Sequence, residues 1–338
     1  MIVIGSDPHK RMYCFAAVDG VSGELLGSET ITASSAGHEQ LLGWARGLGG
    51  ELVWAIEDCR NLSGKLERFL LARAERVVRV SPGLMATRRR SLRERGKSDP
   101  IDALAVARAA IQEGVDSLPI AELQGPAREI KLLLDHRDDL VAERTRIQNR
   151  LRWLLHDRWH ELELPTGCLD RMLWLDRLAT RLARAPQDTD VRVMRSQLRR
   201  LRELVRETKQ LEHDLLQLVR AQQPKLLELP GIGALTAAKL IAEIAGIHRF
   251  ATPAKLARLA GIAPIPASSG NQTRHRLDRG GNRQLNSAIH RMAITQIRHH
   301  PPATTYYQRR LTEGKTKREA IRALKRHLVR TIYNTIAP

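Results

Sequence analysis

The chain opens on short apolar runs separated by polar turns, and this pattern changes twice before the end. MIVIG and MYCFAAVD predict two strands, residues 20–23 a turn, and LLGSETIT the continuation of a hairpin. HEQLLGWARGL places Leu41, Leu42, Ala45 and Leu48 on one side of a helix. ELVWAIE reads as a buried strand, SGKLERFLLARA as a helix and RVVRV as a strand. DPIDALAVARAAIQ follows as a helix, with Pro100 in its first turn. Three strands, then helix, strand, helix, strand is an RNase H-like order, although periodicity alone also allows other three-layer α/β folds.

Between Ala127 and Gln223 apolar residues recur every three or four positions with charges between them. Two long amphipathic helices are predicted there, flanking a shorter region around Pro165 to Pro186, to pack as an antiparallel pair or coiled coil. Arms of this length suggest a spacer and dimerisation element, the plainer reading being a helical subdomain. Leu229 to Gly233, LPGIG, then opens a mainly helical region and looks like the loop of a helix-hairpin-helix. Gly231 and Gly233 would let the backbone approach a phosphate, or simply form a tight turn. The last segment is basic and amphipathic. Ala320, Ile321, Leu324, Leu328 and Ile332 form its buried stripe, leaving Lys317, Arg318, Arg322, Lys325 and Arg326 for contact with a nucleic-acid backbone. The expected domains are therefore residues 1–125, 126–223 and 224–338.

Charge sharpens this picture. The formal net charge is +19 and the pI about 10.7, which makes a polyanion the default partner. Charge alone would also suit a ribosome-associated or membrane-surface protein. Residues 251–338 hold 17 Lys or Arg against 3 Asp or Glu, so the excess concentrates in the last quarter. Cys14, Cys59 and Cys168 are too dispersed for a zinc site or a disulfide framework. Nothing resembles a signal peptide or a membrane span, so a cytoplasmic protein with no membrane partner is expected.

Four acids carry the candidate chemistry. Asp7 follows the first apolar run, Glu57 ends ELVWAIE, and Asp99 and Asp102 lie three apart at a helix start, on one face. Carboxylates meeting at strand ends and a helix start suit Mg²⁺ over a phosphate; the bland reading is turn and cap residues. Arg88, Arg89, Arg90, Arg93, Arg95 and Lys97 lead into the pair with only Glu94 against them, a run able to draw in a backbone that the acids alone would repel.

In order and spacing these acids, with the K-S-D-x-x-D-A segment around Asp99, resemble the DEDD transposases of bacterial insertion sequences of the IS110 type. The resemblance implies a RuvC-like N-terminal domain holding Mg²⁺ through Asp7, Glu57, Asp99 and Asp102. It extends to the C-terminal A-G-x-A-P, S-G and R-G-G-N-x-x-L elements between Ala260 and Leu285. In that family a serine before the glycine attacks DNA to form a phosphoserine link, which implies Ser269 here, with Ser268 beside it. Arg274, Arg276, Arg279 and Arg283 surround it, while HRLDRGG departs from the glycine-containing loop of many relatives. Tyr306 and Tyr307 lack the arginine pattern of a tyrosine recombinase.

The implied enzyme is a bacterial transposase or site-specific recombinase that cuts and rejoins donor and target double-stranded DNA. The implied partners are a structured noncoding guide RNA and further copies of the chain, as a homodimer or a tetramer in the synaptic complex. A metal-dependent Holliday-junction-type resolvase would use the acids without a serine intermediate. A non-catalytic nucleic-acid-binding protein would use them only structurally.

Overall fold

Strand β1 (Ile2–Pro8) is buried along its whole length, as a strand covered on both sheet faces must be. The computed structural model of the chain describes residues 1–57, 60–80, 99–118, 120, 125–266, 275–276, 278 and 281–337. Strand β2 (Met12–Asp19) pairs antiparallel with β1, and β3 (Leu25–Thr32) antiparallel with β2. After helix α1 (Ser35–Gly47), β4 (Leu52–Glu57) joins the other side of β1 in parallel. After α2 (Arg60–Leu71), β5 (Arg76–Val80) pairs in parallel with β4. The resulting order, β3-β2-β1-β4-β5, is a mixed sheet in the RNase H-like order that the succession of apolar segments predicts.

Alternation decides what each face buries. Ile2, Ile4, Trp54 and Ile56 pack with Leu41 and Leu42 of α1 and with Leu66 and Leu70 of α2. Val3, Val53 and Ala55 point the other way, into a cluster with Ala105, Val106 and Ala109 of α3 (Asp99–Glu113). Helix α3 lies unusually close to β1. A Cβ placed on Gly5 would sit 2.2 Å from the Ala103 carbonyl oxygen and 2.4 Å from the Ala107 nitrogen. The run of alanines on α3 and the missing side chain at Gly5 together permit this approach.

By chain contacts, Met1–Gly125 and Glu243–Pro338 form one compact unit and Pro126–Ala242 a second. In the second, the long helices α4 (Pro126–Arg158) and α6 (Thr189–Gln222) run antiparallel, with α5 (Met172–Arg184) between them in sequence. Ion pairs set their register: Arg137 to Glu212, Glu143 to Arg200 and Arg158 to Asp188. Leu140 meets Leu204 and Leu211, while Leu151 and Leu155 join Leu198, Leu201 and Val205. These stripes close on each other inside one chain, so their burial does not by itself require the second copy that the sequence suggested. Leu132, Trp153 and Leu173 stay exposed.

Helix α7 (Ala234–Ile244) follows the LPGIG turn, where Gly231 adopts φ +80°. The C-terminal part of the first unit contains α8 (Pro253–Leu259), a short ribbon of β6 (Ile265–Pro266) with β7 (His275–Arg276), and α9 (Arg283–His299). The basic end is two helices, α10 (Pro301–Thr312) and α11 (Lys317–Ile336), rather than one continuous region. Gly314, at φ +80°, ends the first, and a capping box between Thr316 and Glu319 starts the second.

Gly5→Ala should therefore lower the stability of the folded chain by about 3 kcal/mol, because backbone atoms of α3 must move. Gly43→Ala, on α1 with open space around its Cβ position, should be neutral or stabilising by up to about 1 kcal/mol. Urea unfolding of both variants measures this, and a Gly5→Ala midpoint equal to wild type contradicts the packing described.

Candidate active site and cationic cleft

Strand register assembles the acidic edge. Ser6 pairs with Ile56 across β1 and β4, so the next residues, Asp7 and Glu57, continue side by side at the ends of their strands. Alternation continues Val3–Gly5 and Val53–Ala55 through them, placing both on the α3 face. Asp102 directly precedes Ala103, the residue whose carbonyl Gly5 admits to the sheet. Asp7 and Asp102 are buried, at 8% and 4% exposure, whereas the Asp99 side chain is 54% exposed. A single imidazole links two of the acids: His9 Nε2 lies 3.2 Å from Asp99 Oδ1 and 3.8 Å from Asp7 Oδ2. His9 follows Asp7 by two residues in SDPHK, and sequence reasoning did not give it a role.

These donors suit a hard divalent cation in kind, being carboxylate oxygens without a thiol. Their placement is less complete. Among the described residues, no three His, Cys, Asp or Glu side chains stand close enough together to hold a metal ion. The basic run Arg88, Arg89, Arg90, Arg93, Arg95 and Lys97 lies outside the described residues.

The second constellation is built from two glycine-bearing turns pressed together. Gly261, at φ +63°, and Gly281 touch so closely that a Cβ on Gly281 would lie 2.0 Å from the Gly261 nitrogen. This contact brings the A-G-x-A-P element against R-G-G-N. Asn282 then caps α9 by accepting from the Leu285 nitrogen, and its own amide donates to Glu243 Oε2 at 2.6 Å. Four residues on, the Asn286 amide donates to the Ala260 carbonyl oxygen at 2.7 Å, and its Oδ1 accepts from Lys325 Nζ. Ser268, Ser269, Arg274 and Arg279 lie outside the described residues. The ribbon pairs Pro266 with His275, the described residues on either side of 267–274 in sequence.

Beside the ribbon is a cleft of about 280 Å³, lined by Pro264, Arg276, Tyr306, Arg322, Lys325 and Arg326 among others. Of the predicted phosphate contacts, Arg276, Arg322, Lys325 and Arg326 gather here, whereas Arg283, Lys317 and Arg318 are exposed elsewhere on their helices. Lys325 departs from expectation: it is 5% exposed and belongs to the buried stripe of α11, beside Leu324 and Leu328. Its position, four residues after Ile321, carried that signal in the sequence. Burial, helped by the neighbouring Arg322 charge, pushes its ammonium down to about 8. His290 and His327 are also lowered, first by burial and then by nearby cations.

The comparisons with known proteins follow the same two constellations. Residues 4–159 match the DEDD family model of IS110 transposases, and residues 223–308 match the model described as "Transposase IS116/IS110/IS902 family". The insertion element IS116 uncharacterized 44.8 kDa protein of Streptomyces clavuligerus is 28% identical over 98% of this chain and 94% of that protein. The pilin gene-inverting protein of Moraxella bovis is 25% identical over 83% of this chain and 79% of its own length. Among solved structures, T. thermophilus RuvC in complex with Holliday junction substrate aligns with 36% of this chain and 99% of its own, at 18% identity and a TM-score of 0.28. That score is too low to build on, and the fold assignment stands on strand order. Among the described residues, no helix is long and apolar enough to cross a membrane.

The lowered Lys325 has a measurable consequence. An unfolded lysine titrates near 10.4, so between about pH 8 and about 10.4 the folded chain binds fewer protons than the unfolded one and stability rises with pH. Lys325→Met should flatten that rise and increase stability near pH 7. Urea midpoints of both proteins at about pH 7 and about pH 10 test this, and equal pH slopes contradict it.

Proposed function

This chain belongs to the IS116/IS110/IS902 family of insertion-sequence transposases, and we propose that it cuts DNA with the carboxylates at the edge of its RuvC-like sheet. Family membership makes it an enzyme of DNA cleavage and transfer. The finer reading is metal-dependent cleavage of a branched DNA intermediate, of the kind a Holliday-junction resolvase performs. One observation supports it above others: Gly5 admits α3 to the sheet where Asp7 and Glu57 end adjacent strands, beside Asp102.

Asp7, Glu57, Asp99 and Asp102 are the residues that would hold Mg²⁺, and the ion would supply Lewis-acid stabilisation of phosphate charge. The rest is for the chain itself to do. His9, with Nε2 between Asp99 and Asp7 at 3.2 and 3.8 Å, positions the two carboxylates relative to each other. The basic residues leading into α3 attract the DNA backbone, together with Lys317 and Arg318 at the start of α11. We assign the guide RNA to the same class of basic surfaces, and Gly231 and Gly233 to a backbone contact that positions without reading sequence. Exposed Trp153 and Leu173 on the helical unit favour self-association into a dimer and then a synaptic tetramer.

A second reading is favoured by the ribbon whose strands precede and follow the serine segment in sequence and which lies beside a cationic cleft. Ser269 Oγ would give up its hydroxyl proton and form a bond to phosphorus as the bond from phosphorus to the departing strand's oxygen breaks, and that oxygen would take up a proton in turn, with no net proton change. Arg276 and Arg322 would offset the phosphate charge. Arg258 ties Asp278 of the cleft to Glu113 at the end of α3, at 3.0 and 3.3 Å. Glu113 lies roughly 17 Å along the helix from Asp102. We therefore propose that acids and serine meet on one phosphate across two subunits.

Asp7→Asn and Asp102→Asn should each reduce cleavage of a four-way DNA junction by roughly a hundredfold or more, while junction binding stays within a few-fold of wild type. Each should also abolish the upward shift in melting temperature that Mg²⁺ gives the wild-type protein. Cleavage at the wild-type rate by Asp102→Asn rejects the acidic site.

Ser269→Ala should bind the junction yet form no covalent protein–DNA adduct, and Ser268→Ala should still form one. Mass spectrometry of trapped complexes reads the linked residue. Strand exchange with no adduct on any serine would leave the carboxylate reading alone.

A further inference from the structure

The cleft around Lys325 has a charge pattern that the fold does not neutralise. Among the described residues, Arg276, Lys315, Lys325 and Arg326 have no carboxylate within ion-pair distance. The carboxylates nearby are already engaged: Asp278 with Arg258, Glu313 with Arg310, and Glu319 with the Thr316 cap and, at 4.0 Å, with Arg322. The buried Lys325 is satisfied by a single amide oxygen, from an Asn286 whose other end is anchored on the Ala260 carbonyl. A buried ammonium so partnered is costly unless an anion completes its shell.

The cleft's other walls are not those of a simple anion site. Ile262, Pro264 and Ala323 are apolar, and the Tyr306 ring stands edge-on to His327 at 4.9 Å. A volume of about 280 Å³ exceeds a bare phosphate and cannot admit a duplex; it suits one nucleotide with its base unstacked. We propose that this cleft captures a single unpaired deoxynucleotide of a DNA strand, its phosphate against Lys325 and Arg322 and its base or sugar against Pro264 and Tyr306. The inference rests on the reading of this chain as a DNA strand-transfer enzyme, because strand exchange is what frees an unpaired nucleotide. It deepens the serine reading, whose phosphate-offsetting Arg276 and Arg322 line the same cleft, by giving the nucleotide a seat there that is separate from the acidic edge.

The test is binding by the full-length protein to a fluorescein-labelled single-stranded deoxyoligonucleotide of about eight nucleotides, a length in the range of single-strand site sizes, read by anisotropy. Lys325→Met should weaken binding at least tenfold, and inorganic phosphate at millimolar concentration should compete only weakly. A matched duplex should lose less than threefold with the same variant. Should Lys325→Met fail to fold, the double variant Arg276→Gln/Arg322→Gln changes side chains nearer solvent and should show the same tenfold loss. Asp102→Asn should bind the single strand like wild type, so loss of cleavage and loss of this seat are separable. Unchanged single-strand binding in the folded cleft variants overturns the proposal. So does an equal loss on duplex, or an RNA of the same sequence that binds tighter than DNA and alone responds to the substitution. Phosphate competing as well as the oligonucleotide would also overturn it, reducing the cleft to an anion site.

Discussion

Close contact between α3 and β1 is the constraint on which the acidic edge depends. A helix normally rests on a sheet through a layer of side chains, yet here backbone atoms of Ala103 and Ala107 occupy the space where a Cβ of Gly5 would project. That approach pulls the first turn of α3 down to the end of the strand, so that Asp102 is buried at the same edge as Asp7. Parallel pairing of β1 with β4 then sets Glu57 beside Asp7. A glycine and a run of alanines thus control the separation of carboxylates that are themselves far apart in sequence. His9, reaching both Asp7 and Asp99, shows how near two of them come.

The C-terminal part of the same unit uses the same device for a different end. Gly261 and Gly281 allow two turns to touch, and the asparagines that follow fix what surrounds them, Asn282 capping α9 and Asn286 holding Lys325. The result is positive potential concentrated in a cleft instead of spread along a helix. The helical unit has a simpler logic, with two long stripes and complementary charges closing on each other in antiparallel register.

Much of this was legible in the chain because its signals are local. Apolar runs at strand length, the hairpin turn and Pro100 at the start of α3 give the succession of strands and helices, an order that other three-layer α/β folds share until strand pairing is known. Asp7 and Glu57 could be picked out because each sits at the end of such a run, and Asp99 and Asp102 because they lie three apart where a helical pattern opens. Contacts between distant segments were not legible. Nothing in SDPHK says that His9 meets Asp99, and GIAP and RGGN do not announce that their glycines press together. The burial of Lys325 was missed for a different reason: charge suggested an exposed face, whereas its spacing from Ile321 belongs to the buried stripe. The long helices carried a correct pattern whose partner was ambiguous, since periodicity cannot tell a neighbouring helix of the same chain from one of another copy.

The central claim is that the edge formed by Asp7, Glu57 and Asp102 is where a divalent metal acts on DNA. With Fe²⁺ in place of Mg²⁺, added hydrogen peroxide is reduced at the ion to hydroxide and a hydroxyl radical, ascorbate returning the iron to Fe²⁺, and the radicals cut the polypeptide close by. Mapping the fragments of the wild-type protein bound to a DNA junction reads the ion's location independently of turnover. The account predicts cuts at the end of β1, the end of β4 and the first turn of α3, all lost in Asp7→Asn. Cuts elsewhere in the chain, or a pattern that Asp7→Asn leaves unchanged, would contradict it.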